Sequence, residues 1–186
     1  PLLTLGRIGT FYVTRPMWDT VASAPIGDDP SKNTVIVVNA PILYMANFIP
    51  VIRALDGKPG PAHVVNLAPN EPECPLIRIY RSDLHTLVVE PANGYESLPM
   101  TRDAGHPMFI GEEVRLTEVT ITVLKRTEDL RPLEASYRFE KPLDDPSYVW
   151  LEVMGGEFRA FTLPGVGETT MLNTEGFARV LGLVNG

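Results

Sequence analysis

The closest acid and imidazole in the sequence are Asp83 and His85, which are separated by a single residue. A carboxylate at this spacing can orient an imidazole that acts as a general base, and the two groups can also supply half of a metal site. The alternative is a polar pair at the solvated tip of a hairpin. His63 and His106 lie too far along the chain to form the short pairs (HxH, HxxxH, HExxH) that place two ligands on one face. Asp83 and His85 are therefore the catalytic candidates, and no metal site is predicted.

Two amide side chains, those of Asn39 and Asn66, each follow a run of apolar residues that is typical of a strand. In open α/β sheets ligands bind at the carboxyl ends of the strands, and a helix that begins near Pro41 would attract an anion there. Asn39 is also a good N-cap, and Pro41 lacks one of the donors that an anion needs. Asn39 and Asn66 are the ligand-binding candidates.

Other short motifs have simpler structural explanations. Asp144 and Asp145 precede a proline and are typical of a turn, although adjacent acids can also bind a cation. Gly165–Gly167 lacks the preceding strand and the following lysine of a phosphate loop, so it is a turn. Cys74 has no neighbouring histidine and is expected to be a packing residue. No nucleophile and base form a recognisable set, so we expect neither an enzyme nor a bound cofactor.

The fold that positions these candidates is expected to form around the charge-free stretch Thr34 to Ile52. Val35–Val38 is a β-branched run that fits a strand buried on both faces. Pro41 is suited to the first turn of a helix, and the apolar residues of Ile42–Ile52 recur with helical spacing. Pro50 predicts a kink or break near Ile49.

Sequence features also predict where this helix ends and where the next strand lies. Gly57 is suited to a left-handed helix cap, and His63–Ala68 is a second apolar strand. Strand, helix and strand in so short a stretch predict a βαβ unit with parallel strands. A membrane span through Thr34–Ile52 is the minority alternative, since its length is close to the twenty apolar residues that a span needs.

After residue 75 the periodicity becomes that of β-strands. A hairpin is predicted around residues 82–85, a second around Gly155–Gly156, and alternating strands at Val119–Val123 and Ala135–Phe139. The predicted fold class is therefore α+β, with a small βαβ lobe followed by a predominantly antiparallel β-sandwich or barrel-like lobe. We expect a lead-in segment (1–30), an α/β lobe (31–70), a β-rich lobe (75–172) and a short C-terminal helix (173–186), which together form one compact unit.

The composition limits the partners. With 16 basic and 23 acidic residues the formal charge is −7, and no basic run is present, so nucleic-acid binding is not expected. The single cysteine excludes an intramolecular disulfide but does not indicate a compartment. Because the chain begins at Pro1 with no signal peptide, we expect it to be a piece of a longer polypeptide whose targeting element lies upstream.

The ordered series of VIVVNAP, GKPGPAHVVNLAP, RSDLHTLVVEP, HPMFIGEEVRL, KPLDDPSYVW and FTLPGVGET, from about Thr34 to Leu172, resembles the soluble C-terminal portion of a group of uncharacterised multi-spanning bacterial membrane proteins. The resemblance implies a water-exposed domain of an integral membrane protein, with residues 1–30 leading out of its last span. It also implies an extracytoplasmic location and, as partner, the upstream membrane-spanning part of the same polypeptide.

The function that we expect is non-catalytic, in binding or assembly, with a protein or small molecule as ligand. The enzymatic alternative is a small hydrolase or transferase whose site lies at the strand ends near Asn39 and Asn66, with His85 brought over from the β-rich lobe.

Overall fold

The computed structural model describes residues 18–41, 45–68, 76–95 and 106–174. The described residues form two helices and ten strands. In chain order these are helix α1 (18–22), β1 (Thr34–Val37), helix α2 (Phe48–Leu55), β2 (His63–Asn66), β3 (Leu76–Arg81), β4 (Thr86–Pro91), β5 (Glu113–Arg115), β6 (Val119–Arg126), β7 (Pro132–Phe139), β8 (Tyr148–Met154), β9 (Glu157–Ala160) and β10 (Thr169–Asn173).

The strands divide into two sheets. The first sheet has the order β2-β1-β8-β9, and the second has the order β10-β3-β4-β7-β6-β5. The mixed α+β class is confirmed, but neither sheet formed by the described residues closes into a barrel. The second sheet is antiparallel throughout, as predicted for the β-rich region.

Strand β1 is the centre of the fold, because it is buried on both faces. Val35 and Val37 pack with residues of α1 and α2, whereas Ile36 and Val38 pack in the core between the two sheets. The molecule therefore has three layers: the helices, the first sheet and the second sheet. Since residues 34–37 pair in a sheet, the strand prediction is confirmed and the membrane-span alternative is wrong. Across the described ranges, no helix has the length and apolar character needed to cross a membrane.

Helix α2 begins later than predicted. Its N-cap is Asn47, so Pro50 lies in the first turn, where a missing N–H costs no hydrogen bond. Near Ile49, where a kink or break was predicted, the structure has the start of the helix. Residues 42–44 lie outside the described ranges. The C-terminus agrees with prediction: Gly57 has φ +69°, and the Lys58 N–H donates to the Arg53 carbonyl in a Schellman motif.

The βαβ prediction is confirmed by the parallel pairing of β1 with β2, in which Thr34 is opposite His63. The hairpin of β8 and β9 turns at Gly155–Gly156, also as predicted. However, β8 pairs in parallel with β1, so it belongs to the first sheet and not to the antiparallel one. The first sheet thus contains strands that precede the predicted lobe boundary at 70–75 (β1 and β2) and strands that follow it (β8 and β9).

An aromatic cluster joins the two sheets. The Phe139 ring of β7 lies 5.3 Å from that of Tyr148 and 5.4 Å from that of Trp150, in edge-on contacts. The Trp150 indole N–H donates to the Leu143 carbonyl at 2.9 Å, which ties the loop before β8 to the same core. Cys74, the lead-in residues 1–17 and nearly all of the predicted C-terminal helix lie outside the described residues.

Candidate functional site

Asn39, a predicted ligand-binding residue, is only 2% exposed and bonds to the backbone of one residue of β8. Its Nδ2 donates to the Val153 carbonyl at 3.0 Å, and its Oδ1 accepts from the Val153 N–H at 2.7 Å. The amide thus acts like one more peptide unit of β1 and extends the pairing of β1 with β8 beyond Val37. It does not cap α2, whose N-cap is Asn47.

Asn66, the second predicted ligand-binding residue, ends β2 and is opposite Val37. It therefore lies, like Asn39, at the carboxyl ends of the parallel strands β1 and β2. The carbonyl of the next residue, Leu67, accepts a hydrogen bond from the Tyr137 hydroxyl. Tyr137 lies 3.2 Å from the Tyr95 hydroxyl, and burial raises the pKa of both phenols. Because these neutral hydroxyls bond to each other and to backbone, their contacts connect the carboxyl end of β2 to the second sheet. The ligand-binding role of Asn39 and Asn66 stays a prediction.

The predicted acid and imidazole, Asp83 and His85, lie in the loop between β3 and β4. The Asp83 carboxylate accepts the backbone N–H of His85 at 2.7 Å, and this bond is the main reason that its pKa is lowered. The His85 Nδ1 lies 3.2 Å from the Phe139 carbonyl. The hydrogen bond between the pair is therefore that of a turn, in which the carboxylate bonds to the backbone of His85.

His85 and Asn39 are far apart. His85 lies beside Phe139, which packs on Tyr148 at the start of β8, whereas Asn39 bonds to Val153 near its end. The strand from Tyr148 to Val153 spans about 16 Å at roughly 3.3 Å per residue. The described contacts thus place His85 and Asn39 near opposite ends of β8 and do not bring them together.

The acids of the predicted turn bond to neighbouring groups. The side chain of Arg81 is 5% exposed, and its guanidinium forms a two-point ion pair with Asp144, which lowers the pKa of that carboxyl. Asp145 accepts hydrogen bonds from the hydroxyl and from the N–H of Ser147, and these bonds lower its pKa. Gly167, at φ +83°, donates to the Arg81 carbonyl, so the glycine motif is a turn as predicted.

A second ionic cluster, which sequence reasoning missed, lies on the outward face of the second sheet. Glu134, which is 7% exposed, accepts from Arg78 at 2.7 Å and from Lys125 at 3.1 Å. Arg78 also bonds to Glu90, and this hydrogen bond is the main reason that the pKa of Arg78 is raised and that of Glu90 is lowered. These residues come from four strands, and each occupies an outward position of its strand. The charges compensate one another, which indicates a structural role.

The most prominent unexplained feature is an apolar helix face, which we define as Phe48, Val51 and Leu55 on α2. These side chains are 38%, 49% and 67% exposed, although Ile49 and Ile52 on the adjoining face of the same helix are buried. A helix that is apolar all round is normally covered all round. The sequence analysis predicted only the buried face of this helix. The exposed apolar face could have been found from the lack of charged residues in the same segment.

The one charge of α2, Arg53, does not interrupt this apolar helix face. Its Nε donates to the Pro59 carbonyl at 2.6 Å, and its Nη2 donates to the Asp28 carbonyl at 2.7 Å. Trp18, on α1 in the same layer, is 39% exposed. The helical layer therefore has apolar surface of the kind that binds another protein surface.

Within the described ranges, no three His, Cys, Asp or Glu side chains lie together in an arrangement that could hold a metal ion. Comparisons with protein-family models, with curated proteins and with solved structures gave no match. The resemblance to a group of bacterial membrane proteins consequently stays a prediction.

Proposed function

We propose that this chain is the water-exposed, extracytoplasmic domain of an integral membrane protein and has a non-catalytic role in binding or assembly. In this proposal the helical layer, formed by α1 and α2, docks on the upstream membrane-spanning part of the same polypeptide. The observation that carries the proposal is the apolar helix face of Phe48, Val51 and Leu55.

The physical argument starts from the cost of leaving that face in water. Full burial of a side chain such as Val, Leu or Phe contributes about 1.5–3 kcal/mol, so covering the three side chains can contribute several kcal/mol to docking. Two single exposed apolar residues need no explanation, but three on successive turns of one helix form a continuous stripe. The only charge of the helix is already bonded to backbone carbonyls, so docking would not have to desolvate a free charge.

The direction of the chain favours this occupant over an unrelated protein. The described structure begins at Trp18 in α1, and Val21 of α1 packs in the same cluster as Ile49 and Ile52. Helix α1, the first described element of the chain, therefore belongs to the helical layer. The extracytoplasmic location, the bacterial source and the membrane-spanning part itself rest on the resemblance of the sequence series.

The parent reading frame provides the first test. We expect several hydrophobic spans upstream of Pro1, each of about 20 apolar residues. A frame that starts within a few residues of Pro1 would overturn the proposal.

The second test uses the parent protein in its membrane. Val51→Asp should weaken protection of the domain against protease, because it places a charge in the docked face. Leu84→Asp is the matched control, since Leu84 is 57% exposed at the tip of the β3–β4 hairpin, away from the helices. Equal protection in both variants would contradict the docking of the helical layer.

A further inference from the structure

The strands of the described residues form two sheets with four edge strands, which differ in how they resist pairing with another strand. Strand β5 has three residues, of which two are charged, and β9 has four, of which two are charged. Strand β2 has four residues and follows Pro59 and Pro61 closely. Strand β10, TTMLN, has five residues and contains neither a charge nor a proline. Charges, prolines and short length are the usual protections of a sheet edge, and β10 lacks all three.

The hydrogen bonds of β10 show which of its backbone groups face outward. Gly167 donates to the Arg81 carbonyl, and Arg81 donates to the Glu168 carbonyl, so the backbone of Arg81 faces β10. By alternation Ile79 and Ile77 also face β10, where their partners in the register are Thr170 and Leu172. The N–H and C=O groups of residues 169, 171 and 173 consequently point away from β3. Among the described strands, none pairs with this outer side of β10.

We propose that β10 pairs with β10 of a second copy of this chain, antiparallel, about a twofold axis at Met171. The outward residues are symmetric about Met171, so Thr169 is opposite Asn173 of the second copy, and Met171 is opposite Met171. Each outward residue exchanges two backbone hydrogen bonds with its partner, which gives about six bonds across the axis. The two second sheets become one continuous sheet.

The chemistry of the strand favours a second copy as the occupant. A twofold axis places each central residue opposite itself, so a charge at that position would face an identical charge, and β10 has none. Each chain has a formal charge of −7, which makes a neutral edge the suitable surface for self-association.

The surroundings of Met171 agree with this pairing. Its neighbour on β3 is Arg78, whose charge is compensated by Glu90 and Glu134. Met171 is 50% exposed, and its side chain would meet the identical side chain of the second copy. The pairing does not depend on docking of the helical layer, because β10 belongs to the other sheet.

The test is the mass of the chain in solution as a function of concentration, measured by sedimentation equilibrium. The wild type should approach twice 20.5 kDa as concentration rises. Met171→Lys should remain at 20.5 kDa, because two lysines would face each other across the axis. Leu84→Lys, a charge on an equally exposed hairpin tip, should associate like the wild type.

The twofold register gives a sharper version of the experiment. Met171→Lys and Met171→Glu should each be monomeric alone and should form a mixed dimer when combined, since residue 171 of one copy faces residue 171 of the other. Circular dichroism checks that both variants are folded. A wild type that stays monomeric at all concentrations, a Met171→Lys variant that still dimerises, or a mixture that does not associate would each overturn the proposal.

Discussion

Replacing Asn39 by alanine should destabilise the protein strongly, although the change removes no large apolar side chain. The substitution deletes both hydrogen bonds to Val153 and leaves the N–H and C=O of that buried residue without the side chain that now satisfies them. A buried polar group that loses its partner costs about 1–3 kcal/mol, so two such groups cost about 4 kcal/mol. For a chain of this size the loss corresponds to a decrease in Tm of about 8–16 °C.

Urea denaturation followed by the fluorescence of the buried Trp150 measures this loss. Asn39→Asp is an informative companion variant, because its carboxylate retains an acceptor for the Val153 N–H but loses the donor to the Val153 carbonyl. Burial should raise the pKa of the new carboxyl. The stability of this variant is then fully present below the unfolded pKa of about 4 and is lost as the pH rises through the folded pKa.

The Asn39→Asp protein should accordingly be closer to the wild type at pH 4 than at pH 7. A cost of less than about 1 kcal/mol for Asn39→Ala would refute the bridging role, since it is below the cost of even one orphaned group. The buried environment of the carboxyl would be refuted if the difference in free energy of unfolding between Asn39→Asp and the wild type were the same at pH 4 and pH 7.

Three further predictions concern the ion pair, the buried phenol and the two sides of α2. Asp144→Asn should flatten the loss of stability in acid, because the pKa of Asp144 is lowered and its contribution disappears as the pH falls through that value; urea titrations at several pH values measure the slope. Tyr137→Phe should lower the free energy of unfolding by about 1–2 kcal/mol, because the Leu67 carbonyl loses its hydrogen-bond donor. It should also reduce the loss of stability above about pH 10. The pKa of this phenol is raised in the folded protein, so the wild type loses stability once the unfolded phenol ionises. Ile52→Asp should unfold the isolated chain whereas Leu55→Asp should leave its Tm within about 2 °C, and equal effects would contradict the observed difference in burial between the two sides of the helix.

The part of the fold that followed from the sequence is the part encoded by local patterns. The charge-free β-branched run of Val35–Val38 predicted a strand covered on both faces, and β1 is buried in that way. Gly57 and Gly155–Gly156 predicted a helix end and a hairpin, because backbone with positive φ strongly favours glycine. These signals depend on neighbours in the chain, so one sequence is enough to detect them.

The parallel pairing of β1 with β8 could not be predicted in the same way. The alternation of Tyr148–Val153 shows that this segment is a strand, but it carries no information on which distant strand is its partner. The start of α2 was misplaced because two prolines, Pro41 and Pro50, both suit the first turn of a helix, and α2 has the second of them there.

For the candidate site, the sequence placed Asn39 and Asn66 at one sheet edge but could not reveal the contact of Asn39 with Val153, which comes from a strand far along the chain. The predicted pair of Asp83 and His85 proved to be joined through the backbone of a turn. Helical periodicity correctly selected Ile49 and Ile52 for the core. Periodicity did not identify Phe48, Val51 and Leu55, because exposed apolar residues on a short helix follow no regular spacing that distinguishes them.

The most direct test of the proposed function is the accessibility of Leu55 in the membrane-embedded parent protein. A Leu55→Cys variant in a Cys74→Ser background is labelled with a water-soluble maleimide, both as the isolated chain and in intact membranes, with Leu84→Cys as the control. Because Leu55 is 67% exposed in the isolated chain, it should react readily there, whereas docking of the helical layer should reduce its labelling rate at least tenfold in the membrane and leave that of Leu84 unchanged. Equal labelling of Leu55 in the two preparations would contradict the account.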